Sequence, residues 1–232
     1  MKKKVNNLLL VFAKYPEPGL VKTRLGKIIG NHNAASLYQA FLEDITQKII
    51  HFCQEDNVDC RWVYVKAENN FPNLIESFSQ TKLNHVTYVS YNYSGLLIQQ
   101  IEQFQWAKDN GYSKVVGIST DVPQIPFSIF KQSFLMLEKF DVVIGPNTDG
   151  GYYLLGTHPP TTIQDNVEMS TNHVFKDITV RANEMNLSTH ILPTITDIDE
   201  VEDIYHLINL INNSSLNACP KTIFLLQELG YL

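Results

Sequence analysis

Residues 8–26 read LLLVFAKYPEPGLVKTRLG, and this stretch decides the fold class. From Leu8 to Ala13 the run is apolar without a polar break. That is the pattern of a strand covered on both faces, which belongs to a sheet layered by helices rather than to a half-solvated hairpin. Immediately after it come Lys14, then Pro16, Pro18 and Gly19, then Lys22 and Arg24. Prolines and glycine make a stiff turn, and the cations suggest that an anion sits at the strand exit. Lysine as a point charge and arginine as a planar fork suit phosphate oxygens. A proline-stiffened turn with merely solvated cations is the other reading, and the stretch alone leaves both open. A Walker A loop is excluded, because Gly19 stands three residues before Lys22 and Val21 precedes the lysine.

Further apolar runs predict strands at Trp62–Val65, Val86–Val89, Val115–Ile118, Val142–Ile144, Tyr152–Leu155 and His190–Leu192. Between them the period changes to that of helices. Leu37, Phe41, Ile45 and Ile49 recur every fourth residue on a helix over about 33–53. Leu97, Ile101 and Phe104 stripe a second, closed by Asn110-Gly111. Pro126 suits the first turn of a third, which carries Ile129, Phe130, Ser133, Phe134 and Leu137 on one side. Ser170 is placed to cap a fourth, and Val201, Ile204, Leu207, Ile208 and Ile211 mark a fifth. Strand and helix in alternation predict an α/β protein, a three-layer α/β/α sandwich on a mostly parallel sheet. Residues 1–232 read as a single domain. INNSSLNACP, 211–220, is the one loose connection, so 211–232 is expected to attach loosely through a short helix at Thr222–Leu229.

Bulk composition narrows the classes. With 44% apolar and 18% charged residues the chain reads as an ordinary globular protein. Its net charge of −6 argues against a general nucleic-acid binder, though not against a local basic pocket. The first apolar run is too short to span a membrane or to form a signal-peptide core, which predicts a cytoplasmic protein without a membrane span. Cys53, Cys60 and Cys219 match no disulfide framework or zinc spacing, and the 7 histidines form no pair at metal-binding spacing. A homodimer stays open, since faces that pair subunits read like core faces.

Ligands of open α/β sheets sit beyond the carboxyl ends of the strands, so the loops there are searched for chemistry. In VVGISTDVPQIP, 115–126, Thr120 and Asp121 follow a strand and precede two prolines. A rigidly held carboxylate at a strand exit suits Mg²⁺ or Mn²⁺, and a turn cap is the alternative. The Gly-x-Ser-x-Gly elbow of a serine hydrolase is absent, because Asp121 replaces its last glycine. In VVIGPNTDGGYYLLG, 142–156, Asn147, Asp149, Gly150 and Gly151 form either a hairpin turn or a floor without side chains on which a ring could lie. Tyr152 and Tyr153 read as packing groups. In TDIDEVED, 196–203, Asp197 and Asp199 could supply a second metal carboxylate opposite Asp121, while Asp199 also suits a helix cap.

Taken together, FAKYPEPGLVKTRL, STDVP, GPNTDGGYYLLG and DIDEVEDI resemble a bacterial glycosyltransferase-like group with the GT-A, or nucleotide-diphospho-sugar transferase, fold. The resemblance runs from about Leu8 to Leu210. It implies that Lys22 and Arg24 hold the phosphates of a nucleotide, and Lys14, Gly19 and Thr120 are further substrate-binding candidates. It further implies that Asp121, with Asp197 or Asp199, binds a divalent Mg or Mn, and that Asn147, Asp149, Gly150 and Gly151 border the sugar or acceptor. Asp121, Lys22 and Asp149 are then the catalytic candidates. Three positions depart from the family pattern: Ser119 where a glycine is usual, SGLLIQQ at 94–100 without an arginine, and Met169 in place of a tryptophan. The leading expectation is metal-dependent glycosyl transfer from a nucleotide sugar to an unknown acceptor. Nucleotidyl transfer from a nucleoside triphosphate to a phosphorylated small molecule comes second, and a non-catalytic nucleotide-binding protein third.

Overall fold

The computed structural model describes residues 6–65, 69–79, 85–92, 95–159, 163–165, 167–169, 171–214 and 218–232. Its elements in chain order are β1 (Asn7–Ala13), α1 (Thr23–Ile29), α2 (Asn31–Asp56), β2 (Asp59–Val65), α3 (Phe71–Ser77), β3 (Val86–Tyr91), α4 (Leu96–Asp109), β4 (Lys114–Ser119), α5 (Phe127–Met136), β5 (Val142–Pro146), β6 (Tyr152–Thr157), α6 (Val174–Glu184), β7 (Thr189–Ile191), α7 (Val201–Ser214) and α8 (Pro220–Glu228). The strands form one sheet in the order β3-β2-β1-β4-β6-β5-β7. All neighbouring pairs are parallel except the two that β6 makes, with β4 and with β5.

Strand alternation splits the core in two, as the unbroken apolar runs require. On β1, Leu9, Val11 and Ala13 join the larger core, which α2 fills with Leu37, Phe41 and Ile45, α5 with Phe130 and Phe134, and α7 with Ile204 and Leu207. Leu8, Leu10 and Phe12 point the other way, against Phe104 and Ala107 of α4. Farther along that second face, Val142 and Ile144 of β5 meet Val174, Ile178 and Ala182 of α6. Helices therefore cover both faces, and the three-layer arrangement holds. Among the described residues no helix is long and apolar enough to cross a membrane.

Two short helices were not legible. Lys22 and Arg24 do not lie in an open loop: α1 begins at Thr23, with Lys22 as its N-cap in the left-handed region at φ 45°. Only Leu25 and Gly26 of α1 are buried, so no apolar period announces it. In α3 the signal was present but brief. Asn70 caps it by accepting from the Asn73 N–H, and a proline stands in its first turn.

The C-terminal segment is tied down rather than loosely attached. Asp44, buried in α2, accepts hydrogen bonds from the Lys221 N–H (3.0 Å), the Thr222 N–H (2.8 Å) and the Thr222 hydroxyl (2.7 Å). A carboxylate thus satisfies the orphan donors at the start of α8. Cys219 and Leu226 join the main core. Part of the 211–220 connection, and the Ser170 cap, lie outside the described residues.

Candidate functional site

β1 leads outward through β2 to β3, whereas β4 opens the other half of the sheet. The boundary between β1 and β4 is therefore the topological switch point, where a crevice opens beyond the carboxyl ends. Because β5 and β7 run parallel to β4, the segments after β1, β4, β5 and β7 emerge at one edge. These are the four segments in which the sequence carries its unusual residues.

The segment after β7 crosses this edge. Leu192 N–H donates to the Ile144 carbonyl (2.9 Å), Ile195 N–H to that of Pro146 (3.1 Å) and Ile198 N–H to that of Asp121 (2.9 Å). It thereby delivers Asp197 and Asp199 to the exit of β4. Asp203, in the first turn of α7, accepts from the backbone N–H groups of Asp199 and Glu200, while the Asp199 carboxylate turns to Lys22.

Lys22 reaches into this cluster. Its ammonium binds Asp121 Oδ1 and lies 2.7 Å from Asp199 Oδ1, with only 3% of the side chain exposed. Burial by itself would lower the lysine's pKa, but the two carboxylates outweigh it and hold the group firmly charged. Burial likewise pushes the Asp121 carboxyl up, while Lys22 and the Ser119 hydroxyl bring it below the ordinary range. Ser119 donates to Asp121 Oδ2 at 2.9 Å and accepts the Asp121 N–H at 3.1 Å. Both oxygens of Asp121 are therefore committed, and Lys22 fills the place between Asp121 and Asp199 that the sequence reading gave to a divalent ion.

Lys22 and a backbone hydrogen bond give Asp197 only partial relief. Burial first, then the charges of Asp149 and Asp199, push its carboxyl up to about 7. Asp149 is exposed at the rim, where its Oδ1 accepts the Gly151 N–H at 2.8 Å. Lys14 is exposed at the end of β1 and adds positive charge near Asp121. Four aspartates thus face two lysines. Among the described residues no three acidic, histidine or cysteine side chains gather closely enough to ligate one ion alone.

Other expected residues stand apart. Arg24 is largely exposed and 3.4 Å from Glu200, beside a cavity of about 480 Å³ that Lys27, Ile28, Val201 and Glu202 also line. Thr120 is 1% exposed and faces inward. Its hydroxyl donates to the Phe12 carbonyl at 3.2 Å and lies 2.7 Å from the Tyr38 hydroxyl. Gly19 takes φ 82°, which the turn requires. The Gly150-Gly151 floor is not open: Gly150 has φ 91°, and a Cβ there would strike the Asn172 carbonyl. Its bareness serves chain packing. Asn147 links the loop to the crossing segment through a bridge to Ile195, and its Oδ1 is buried without a partner.

Two residues escaped the sequence reading. Lys48, on α2, donates to the carbonyls of Pro123 (2.6 Å) and Ile125 (2.9 Å), fastening the loop that carries Asp121. Burial lowers its pKa to about 8. Tyr38 occupies a similar post under Lys22. A polar residue at a stripe-flanking helix position was the only hint of either.

A mixed sheet of this order, with its acidic and basic groups at the switch point, defines the nucleotide-diphospho-sugar transferase fold. A crystal structure from Desulfovibrio desulfuricans, provisionally described as a nucleotide-diphospho-sugar transferase, is similar to the chain at 29% identity and TM-score 0.82, over 97% of this chain and 95% of that one. Residues 80–179, which carry Asp121 and the 147–151 loop, match the model of a family described as an uncharacterized protein conserved in bacteria (DUF2064). The fold is shared with 4-diphosphocytidyl-2C-methyl-D-erythritol synthase from Anaerococcus prevotii (13% identity, TM-score 0.58, 90% and 97% of the two chains). A cytidylyltransferase from Leptospira borgpetersenii shares it too (14%, TM-score 0.51, 97% and 95%). No curated protein matches the chain.

Proposed function

We propose that the chain is a nucleotide-dependent transferase that takes a nucleotide sugar, together with a divalent cation, in the crevice between the β1 and β4 exits. The observation that carries the reading is the charge balance: Asp121, Asp149, Asp197 and Asp199 against Lys14 and Lys22, with Asp197 raised to about 7 by burial first and then by Asp149 and Asp199, which Lys22 only partly offsets. A bare diphosphate would be repelled there. A diphosphate that arrives with Mg²⁺ or Mn²⁺ would be matched.

The donor set fits such an ion. Mg²⁺ is commonly held by one or two carboxylates plus substrate phosphates and water, rather than by a full protein cage. Asp197 and the uncommitted oxygen of Asp199 would hold it, and Asp121 would join where a phosphate draws the Lys22 ammonium away. The bound ion would neutralise the charge that develops on the leaving diphosphate. The chain's own part is then positioning and fixed charge: Lys22 and Lys14 on the phosphates, and Asp149 on the open, acceptor side. The likeness to the Desulfovibrio protein supports a sugar nucleotide as donor. Transfer of a nucleotidyl group, with pyrophosphate leaving, would use the same charges.

The test is thermal unfolding with UDP-, GDP- and CDP-sugars and with the nucleoside triphosphates, each with and without Mn²⁺. At about 100 times its Kd a ligand stabilises by about 2.7 kcal/mol, which raises Tm by roughly 5–10 °C at this size. We expect the rise only with nucleotide sugar and Mn²⁺ together. Triphosphates alone giving it would move the reading to nucleotidyl transfer. An equal rise without Mn²⁺, or none with any nucleotide, would overturn it.

A further inference from the structure

The last rung of the β1–β4 ladder pairs Phe12 with Ser119. Beyond it the strands carry Lys14 and Asp121 with no backbone pairing left to hold them at a fixed spacing. Tyr38 stands at this gap. It is 3% exposed on α2, and its hydroxyl accepts the Lys14 N–H at 3.1 Å and lies 2.7 Å from Thr120 Oγ1. Thr120 has one proton, and the Phe12 carbonyl at 3.2 Å can only accept it. The Tyr38 proton must therefore go to Thr120. The order Lys14 N–H to Tyr38 to Thr120 to the Phe12 carbonyl satisfies every group, and the reverse strands the phenol's proton. Burial keeps that phenol neutral, with its pKa pushed up to about 12. The same ring lies 5.8 Å from the Lys22 ammonium, beside Phe41 at 5.6 Å.

We infer that Tyr38 is the positioning residue of this site: its hydroxyl replaces the missing rung between the β1 and β4 exits and fixes the spacing of Lys14, Lys22 and Asp121. One side chain touches all three elements that carry those groups. The inference deepens the proposed function, on which only its affinity arm rests.

Tyr38→Phe keeps the ring and removes the rung. The test compares wild type, Tyr38→Phe and a packing control on the far face, Ile178→Val, by amide hydrogen exchange and by binding of Mn²⁺–UDP-glucose and Mn²⁺–CTP. In Tyr38→Phe the Lys14 amide should exchange about five-fold faster, the equivalent of one net hydrogen bond, with the Leu9 to Val11 amides unchanged. Affinity for whichever probe wild type binds should fall about ten-fold. The control should change neither reading, although its Tm also falls. A lower Tm in Tyr38→Phe with unchanged Lys14 exchange would reduce Tyr38 to a packing residue. If Lys14 exchange rises but probe affinity holds, the rung exists without positioning the site, and the inference is overturned. Failure of wild type to bind either probe would count against the proposed donor; unchanged Lys14 exchange would still overturn the inference, and faster exchange would support the rung.

Discussion

Replacing Asp197 by Asn should make the protein more stable at neutral and alkaline pH, an outcome that follows from the crowding of carboxylates at the site. Burial, then Asp149 and Asp199, raise its carboxyl from 3.8 to about 7. In the unfolded chain the group ionises near pH 4, whereas the folded protein holds the proton to about 7. Between those values folding binds a proton, so rising pH costs stability; above about 7 both states are ionised and the cost is constant. About 3 pK units at 1.36 kcal/mol each set a ceiling of roughly 4 kcal/mol, and partial solvent access reduces this to roughly 2 kcal/mol. Asn keeps the shape and an acceptor oxygen but cannot ionise. At pH 8 its Tm should exceed that of wild type by roughly 4–8 °C at this chain length. The advantage should shrink steadily below pH 7 and vanish near pH 4. Thermal unfolding of both proteins from pH 4 to 9, without divalent ions, measures it. A gain that is absent at pH 8, or equally large at pH 4, refutes the reasoning.

Lys22→Met removes the ammonium between Asp121 and Asp199. Both carboxylates are partly exposed, so the loss should be modest, roughly 1–3 kcal/mol. Millimolar Mn²⁺ should then raise the Tm of the variant more than that of wild type, because the place between the carboxylates is open; equal increments count against a cation site there. Lys48→Met leaves the Pro123 and Ile125 carbonyls without their donor. Denaturant unfolding should show a loss of roughly 2–3 kcal/mol, and a loss under about 0.5 kcal/mol would mean that the loop holds Asp121 without help.

The frame of the sheet was legible because its central strands are covered on both faces and so are apolar without interruption, as in Leu8–Ala13 and Val142–Ile144. Strand order was not. The hairpin reading of residues 147–151 fits the antiparallel pairing of β5 with β6, but nothing in Tyr152–Leu155 places β6 between β4 and β5. The long helices declared themselves through their apolar stripes, whereas α1 and α3 bury too few residues to show a period. At the site, Lys22, Asp121, Asp197 and Asp199 were legible as chemistry at strand exits, and the structure brings them to one edge. What each was doing was not legible. That Asp199 turns to Lys22, and that Thr120 turns inward to Tyr38, depends on contacts between segments tens of residues apart. Gly150 misled for a related reason: its bareness answers the Asn172 backbone, which is invisible in a local reading.

The first loop shows why residue type and net field have to be separated. Lys22 and Arg24 suggest a positive strand exit. In the folded chain Lys22 is spent on two aspartates, and Arg24 lies beside Glu200. With Asp149 and Asp197 added, carboxylates predominate at the edge that the sequence marks as basic. A field of that sign repels a free anion. The proposed ligand suits it, because multivalent positive charge on one side and phosphate oxygens on the other would satisfy the excess aspartates and the two lysines together. On the proposed function, the raised Asp197 carboxyl is the cost of holding that arrangement ready without the ligand, and the substitution that relieves it should stabilise the protein while weakening the binding of a cation–diphosphate.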